Sequence, residues 1–152
     1  MEKEKRKVSR ICLCSSASFF KEVLEIEKEL KKMGFSVSVP LTSKKMEKSG
    51  NFDVSHYKNW YKDKSEYRRK AYLMRNHFEK IEKSDAILVV NLKKNGLDGY
   101  IGGNGLIEMA LAFWLKKKIF VLNKVSEKSS LYEEILGVQP IFLDADLNRL
   151  RV

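Results

Sequence analysis

Cysteine is scarce in this sequence: Cys12 and Cys14 are its only two among 152 residues. They stand two apart in a strand-like run, so both side chains point to one face in adjacent rows, which argues against a structural disulfide. A metal site needs further ligands, and the two histidines, His56 and His77, lie far off along the chain. The expectation is therefore two buried, inert thiols and no metal. Long apolar runs are missing as well. The longest, residues 109–115, is far short of a membrane span and runs into Lys116, Lys117 and Lys118. The charged start over residues 1–7 reads as a flexible basic end. With no apolar signal core behind it, the default compartment is the cytoplasm.

Several nucleotide-handling and hydrolytic signatures are also lacking. No Lys-Ser/Thr pair follows the glycines at 99–105, so there is no Walker-type phosphate loop. The first strand leads into serines and not into a Gly-x-Gly-x-x-Gly fingerprint, and no Gly-x-Ser-x-Gly elbow occurs. Kinase, ATPase and ordinary dehydrogenase chemistry are disfavoured, and no cofactor is expected. There is no internal repeat and no low-complexity tract.

What is present is enough for a core. A chain of 152 residues with 43% hydrophobic and 11% aromatic residues suits one domain over 1–152, folded without staples. The formal charge of +10 fits a lysine-rich surface or an acidic small substrate such as a phosphate. Nucleic acid is disfavoured, because basic residues are spread through every helix and interleaved with glutamate. The stretch 57–75 is the exception. There Trp60, Tyr61, Tyr67 and Tyr72 sit among Lys58, Arg68, Arg69 and Arg75, which leaves an RNA-binding surface as a minor alternative.

Residues 8–14 alternate as a first strand and end in Ser15-Ser16-Ala17-Ser18. Phe19, Phe20, Val23, Leu24, Leu30 and Met33 then give a helical stripe stopped by Gly34. Residues 35–40 alternate as a second strand, and 41–55, which lack a period, read as a mobile loop. A long helix or helix pair is expected over 57–83, with Tyr72, Leu73, Phe78 and Ile81 as core contacts. Residues 85–91 form a nearly continuous apolar run, the pattern of a central strand covered on both faces. A helix over 104–116, a strand over 119–123, a short helix over 131–136 and a last strand over 140–144 follow. Strands alternating with helices imply a mainly parallel five-stranded sheet, with ligands beyond the carboxyl ends of the strands. That rule points to the loops 15–19, 91–103 and 123–130.

The helix over 104–115 carries one charge, Glu108, between Leu106, Ile107, Met109, Ala110, Leu111, Ala112, Phe113, Trp114 and Leu115. A helix apolar on nearly all sides is buried, and a buried carboxylate requires a partner, a ligand or a cleft. Asn104 is placed to cap this helix, and the dipole favours the ionised Glu108. Glu108 is thus either functional or held in a capping arrangement or ion pair. Gly99, Gly102, Gly103 and Gly105 let backbone approach a ligand closely. Ser15, Ser16 and Ser18 either bind a polar ligand or simply make the turn.

Residues 83–91, then Tyr100-Ile101-Gly102-Gly103-Asn104 through Glu108-Met109-Ala110-Leu111-Ala112, then 117–122, resemble the nucleoside 2-deoxyribosyltransferase superfamily. That superfamily includes deoxynucleoside-monophosphate N-glycosidases. The likeness covers the last half of the chain well and the first strand and helix loosely. It implies a flavodoxin-like three-layer α/β fold. It also implies cleavage or transfer of the N-glycosidic bond of a nucleoside or nucleotide, with Glu108 as the carboxylate that attacks the anomeric carbon.

By the same resemblance, Asn91, Tyr100, Gly102, Gly103, Asn104 and the first-strand loop with Ser15, Ser16 and Ser18 line the substrate pocket. A homodimer or larger assembly completes it. His77 falls where the monophosphate glycosidases carry an acidic residue, so imidazole stands in for the proton donor, or packs in the core. Ser18 stands where those enzymes place a phosphate-binding arginine. A non-catalytic nucleotide-binding or sensing module is the competing reading.

Overall fold

A computed structural model describes residues 7–152. Of the flexible end expected over 1–7, residues 1–6 lie outside the described residues. Five strands, β1 (Arg10–Ser15), β2 (Ser36–Ser38), β3 (Ala86–Val90), β4 (Lys118–Val121) and β5 (Ile141–Phe142), form one sheet in the order β2-β1-β3-β4-β5. Every pair is parallel. The helices are α1 (Phe20–Lys32), α2 (Leu41–Ser49), α3 (Val54–Tyr57), α4 (Tyr67–Glu82), α5 (Gly103–Trp114) and α6 (Tyr132–Gly137).

Alternation along the strands divides the core in two. Ile11, Leu13 and Leu88 meet Phe20, Val23 and Leu30 of α1 and Met46 of α2 on one face. Cys12, Cys14, Ile87 and Val89 meet Ile81 of α4, Met109 and Ala112 of α5 and Ile135 of α6 on the other. This is the three-layer, flavodoxin-like α/β fold, with a sheet parallel throughout. All five residues of β3 are buried, as a strand covered on both faces requires. The chain runs from β1 outward to β2 and then back across to β3, so the order reverses between β1 and β3. The crevice at their carboxyl ends is where such sheets bind ligands. No helix among the described residues is long and apolar enough to cross a membrane.

Four expectations are corrected. Residues 41–49 are helical and not a loop: Pro40 precedes the first turn, Gly50 closes the last at φ 73°, and Met46 is buried against the α1 side. Only Ser43 and Met46 of its nine residues are buried, so no stripe was visible, and tertiary contact stabilises the helix. Lys44 reaches Glu27 of α1 at 2.5 Å and ties the two helices together. Tyr72 is 62% exposed and makes no core.

Helix α5 is not buried all round. Gly105, Glu108, Met109 and Ala112 turn inward at helical spacing, while Ile107, Phe113 and Trp114 lie open. Asn104 does not cap it either. The cap position is Gly102, and Asn104 lies inside the first turn, where its Nδ2 donates to Glu108 Oε1 at 2.9 Å.

Candidate active site

The crevice holds a cavity of about 240 Å³. Ser15, Ser16, Tyr100, Gly102, Gly103, Asn104 and Glu108, all expected from the sequence, line it. Three expected residues do not. Ser18 is exposed outside the cavity, a turn residue after β1. Asn91 is fully buried and spent on the scaffold: its Nδ2 donates to Gly99 O at 3.1 Å and Asn123 O at 2.8 Å, and its Oδ1 accepts from Asn123 N at 2.9 Å. The loop 123–130 likewise supports the site through that clamp and does not line the cavity. His77 is buried behind Glu108 and faces no part of the cavity.

Glu108 lines the cavity from α5. It is 5% exposed and the only acidic side chain lining the cavity among the described residues. Its Oε1 accepts from Asn104, whereas its Oε2 lies 3.8 Å from His77 Nε2 and has no hydrogen-bond partner among the described residues. Burial pushes its carboxyl up to about 7, against the opposing pull of the His77 charge. Burial alone would lower His77. The hydrogen bond with Cys12 and the charge of Glu108 outweigh it and hold the imidazole above its ordinary value.

The cysteines complete this buried group. His77 Nε2 stands 3.5 Å from Cys12 Sγ and 3.5 Å from Cys14 Sγ. The Cys14 hydrogen bond, against burial and with help from His77, lowers the Cys12 thiol to about 5, while burial raises Cys14. Each of the four groups thus lies within the electrostatic reach of the others. Both thiols are buried as expected, but the distance of His77 along the sequence does not keep it from them, because α4 packs it against β1. His56 lies exposed beside Tyr57 and takes no part.

The cavity also has a cationic lining that the sequence pattern did not indicate. Lys58, Lys70 and Lys94 form it, and none makes a salt bridge among the described residues. Burial and the charges of Lys70 and Lys94 lower Lys58. Lys94 Nζ donates to Ser16 Oγ at 2.9 Å and lies 5.2 Å from the Tyr100 ring centroid, and Lys70 Nζ lies 5.3 Å from that of Trp60. Trp60 is buried and lines the cavity, so it is withdrawn from the stacking surface that an RNA reader would present. The signal that was available is the run of aromatics among lysines at 57–70, which pointed outward when read as surface.

Fold and site together define a flavodoxin-like α/β protein whose crevice is lined by one carboxylate, aromatic rings and three lysines among the described residues. Among solved structures it is similar to a 2-deoxyribosyltransferase from the psychrotolerant bacterium Bacillus psychrosaccharolyticus, at 16% identity and a TM-score of 0.52, over 81% of this chain and 78% of that one. At that identity the likeness is one of fold. No family model and no curated protein matches the sequence.

Proposed function

We propose that the chain cleaves or transfers the N-glycosidic bond of a nucleoside or nucleotide, with Glu108 as nucleophile. The observation that carries this reading is the position of Glu108, the sole lining carboxylate among the described residues, in the crevice between β1 and β3. A carboxylate oxygen attacks the anomeric carbon as the carbon–nitrogen bond breaks, and the electron pair leaves with the base, which takes up a proton. Water or a second base then displaces Glu108 from the glycosyl ester. Asn104 holds one oxygen of the carboxylate, and the other is buried toward His77 with no hydrogen-bond partner among the described residues. His77 acts as a positioning residue behind Glu108. The proton for the leaving base comes from water or from a group lining the cavity.

The fold likeness to a deoxyribosyltransferase supports the reaction class. The three unpaired lysines favour a phosphorylated substrate, and Trp60 and Tyr100 offer faces for a base. The reading treats 1–152 as one domain and the protein as a homodimer or larger. A second reading, a nucleotide-binding or sensing module without turnover, is favoured by one observation: a carboxyl pushed up to about 7 is in large part neutral at pH 7, and a neutral acid is a poor nucleophile.

The test is base release from a panel of ribo- and deoxyribonucleosides and their monophosphates, by wild type and Glu108→Gln. Expected is release by wild type, faster from monophosphates, that falls by roughly 10³-fold or more in a folded variant. Equal release by both proteins removes Glu108 as nucleophile. Tight binding without release by either selects the binding module.

A further inference from the structure

Strand alternation turns Cys12 and Cys14 toward α4 and α5, at positions where the neighbouring strand carries Ile87 and Val89. Aliphatic side chains would satisfy the packing there equally well. Instead two thiols and the His77 imidazole meet, their ligand atoms all within 4.8 Å of one another. Each sulfur is 3.5 Å from Nε2. Tetrahedral zinc, with bonds of about 2.3 Å to sulfur and about 2.0 Å to nitrogen, holds such ligands about 3.5 Å apart. The Glu108 Oε2 that lacks a hydrogen-bond partner stands 3.8 Å from the same Nε2 and supplies a fourth corner.

We propose that Cys12, Cys14, His77 and Glu108 form a binding site for a thiophilic divalent cation, zinc being the ion whose chemistry fits best. Two sulfurs, one imidazole nitrogen and one carboxylate oxygen make a borderline-soft set. Magnesium and calcium prefer oxygen ligands. Binding displaces into water every proton that the two thiols, the imidazole Nε2 and the carboxyl still hold, so that all four ligands coordinate deprotonated, and it forms four coordination bonds with no redox change. The ion enters from the cavity, where Glu108 is the ligand that lines the wall. Coordination ties the Glu108 carboxylate to the ion and draws off its charge, so the zinc-loaded chain is inactive in glycosyl transfer. That consequence rests on the reading of Glu108 as nucleophile, whereas the site itself does not.

Cobalt(II) is the probe, titrated into metal-free protein and then displaced with zinc. Expected is one cobalt per chain, with the visible bands of a tetrahedral ion and a thiolate-to-cobalt charge-transfer band that zinc abolishes. Because the chain has only two cysteines, that band in wild type identifies the site even where a variant fails to fold. In Cys12→Ser and Cys14→Ser the band halves and affinity falls by more than about 100-fold, since groups that merely hydrogen-bond a metal ligand are already worth about 10- to 100-fold. Glu108→Gln keeps the band, shifts the visible spectrum and binds more weakly. No uptake at micromolar cobalt or zinc, or uptake without the charge-transfer band, overturns the proposal. The spectra need no turnover, so the site and the glycosyl-transfer reading can fail separately.

Discussion

Gly99 sits at φ 60°, in the left-handed region, and a Cβ there would overlap the Lys124 carbonyl oxygen. Its own carbonyl accepts from the buried Asn91 amide, which also ties down Asn123, so one residue joins the glycine-rich loop to the end of β4. Both the conformation and the lack of room demand glycine. Gly99→Ala should therefore cost roughly 2–4 kcal/mol, from left-handed strain plus overpacking. Thermal and denaturant unfolding measure this, and an unchanged midpoint would show that the loop can move aside. Glu108 obeys a different logic. As the single charge in an apolar helix it stood out from sequence alone, but its partners did not, since His77 and the two cysteines come from other elements.

Among the helices, α5 presents the site and is closed at its far end by a residue in an unfavourable conformation. Lys116 follows it at φ 57°, with its N–H bonded to Phe113 O and the next N–H to Ala112 O. That turn is the usual helix stop, in which glycine is free of the penalty a side chain meets. Lys116→Gly should stabilise the protein by about 0.5–1 kcal/mol and raise Tm by roughly 1–4 °C. A lower Tm would mean that the lysine makes a compensating contact. Elements with a long buried stripe, α1 and β3, were legible within a few residues. Helix α2 was not, because so short a helix with two buried residues leaves no periodic trace.

At the scale of the molecule, the outward side of α5 carries Ile107, Phe113 and Trp114, the last 82% exposed. An exposed aromatic face of this kind on a helix that forms the site suits a contact between copies of the chain. Wild type should scatter light as a dimer or larger at micromolar concentration, and Trp114→Glu should shift it toward monomer without lowering Tm by more than a few degrees. A monomeric wild type would leave the face without this role.

The parallel three-layer architecture followed from local pattern: a continuous apolar run marks a strand covered on both faces and a 3.6-residue period marks a helix, and each is written in consecutive residues. Charge within an apolar helix marked Glu108 in the same way. What tertiary structure alone decided is which distant residues meet. His77 joins cysteines 63 and 65 positions away, and the lysines that line the cavity with Glu108 come from α4 and two loops. Such contacts depend on how helices seat across the sheet, a relation between elements that no window of sequence contains.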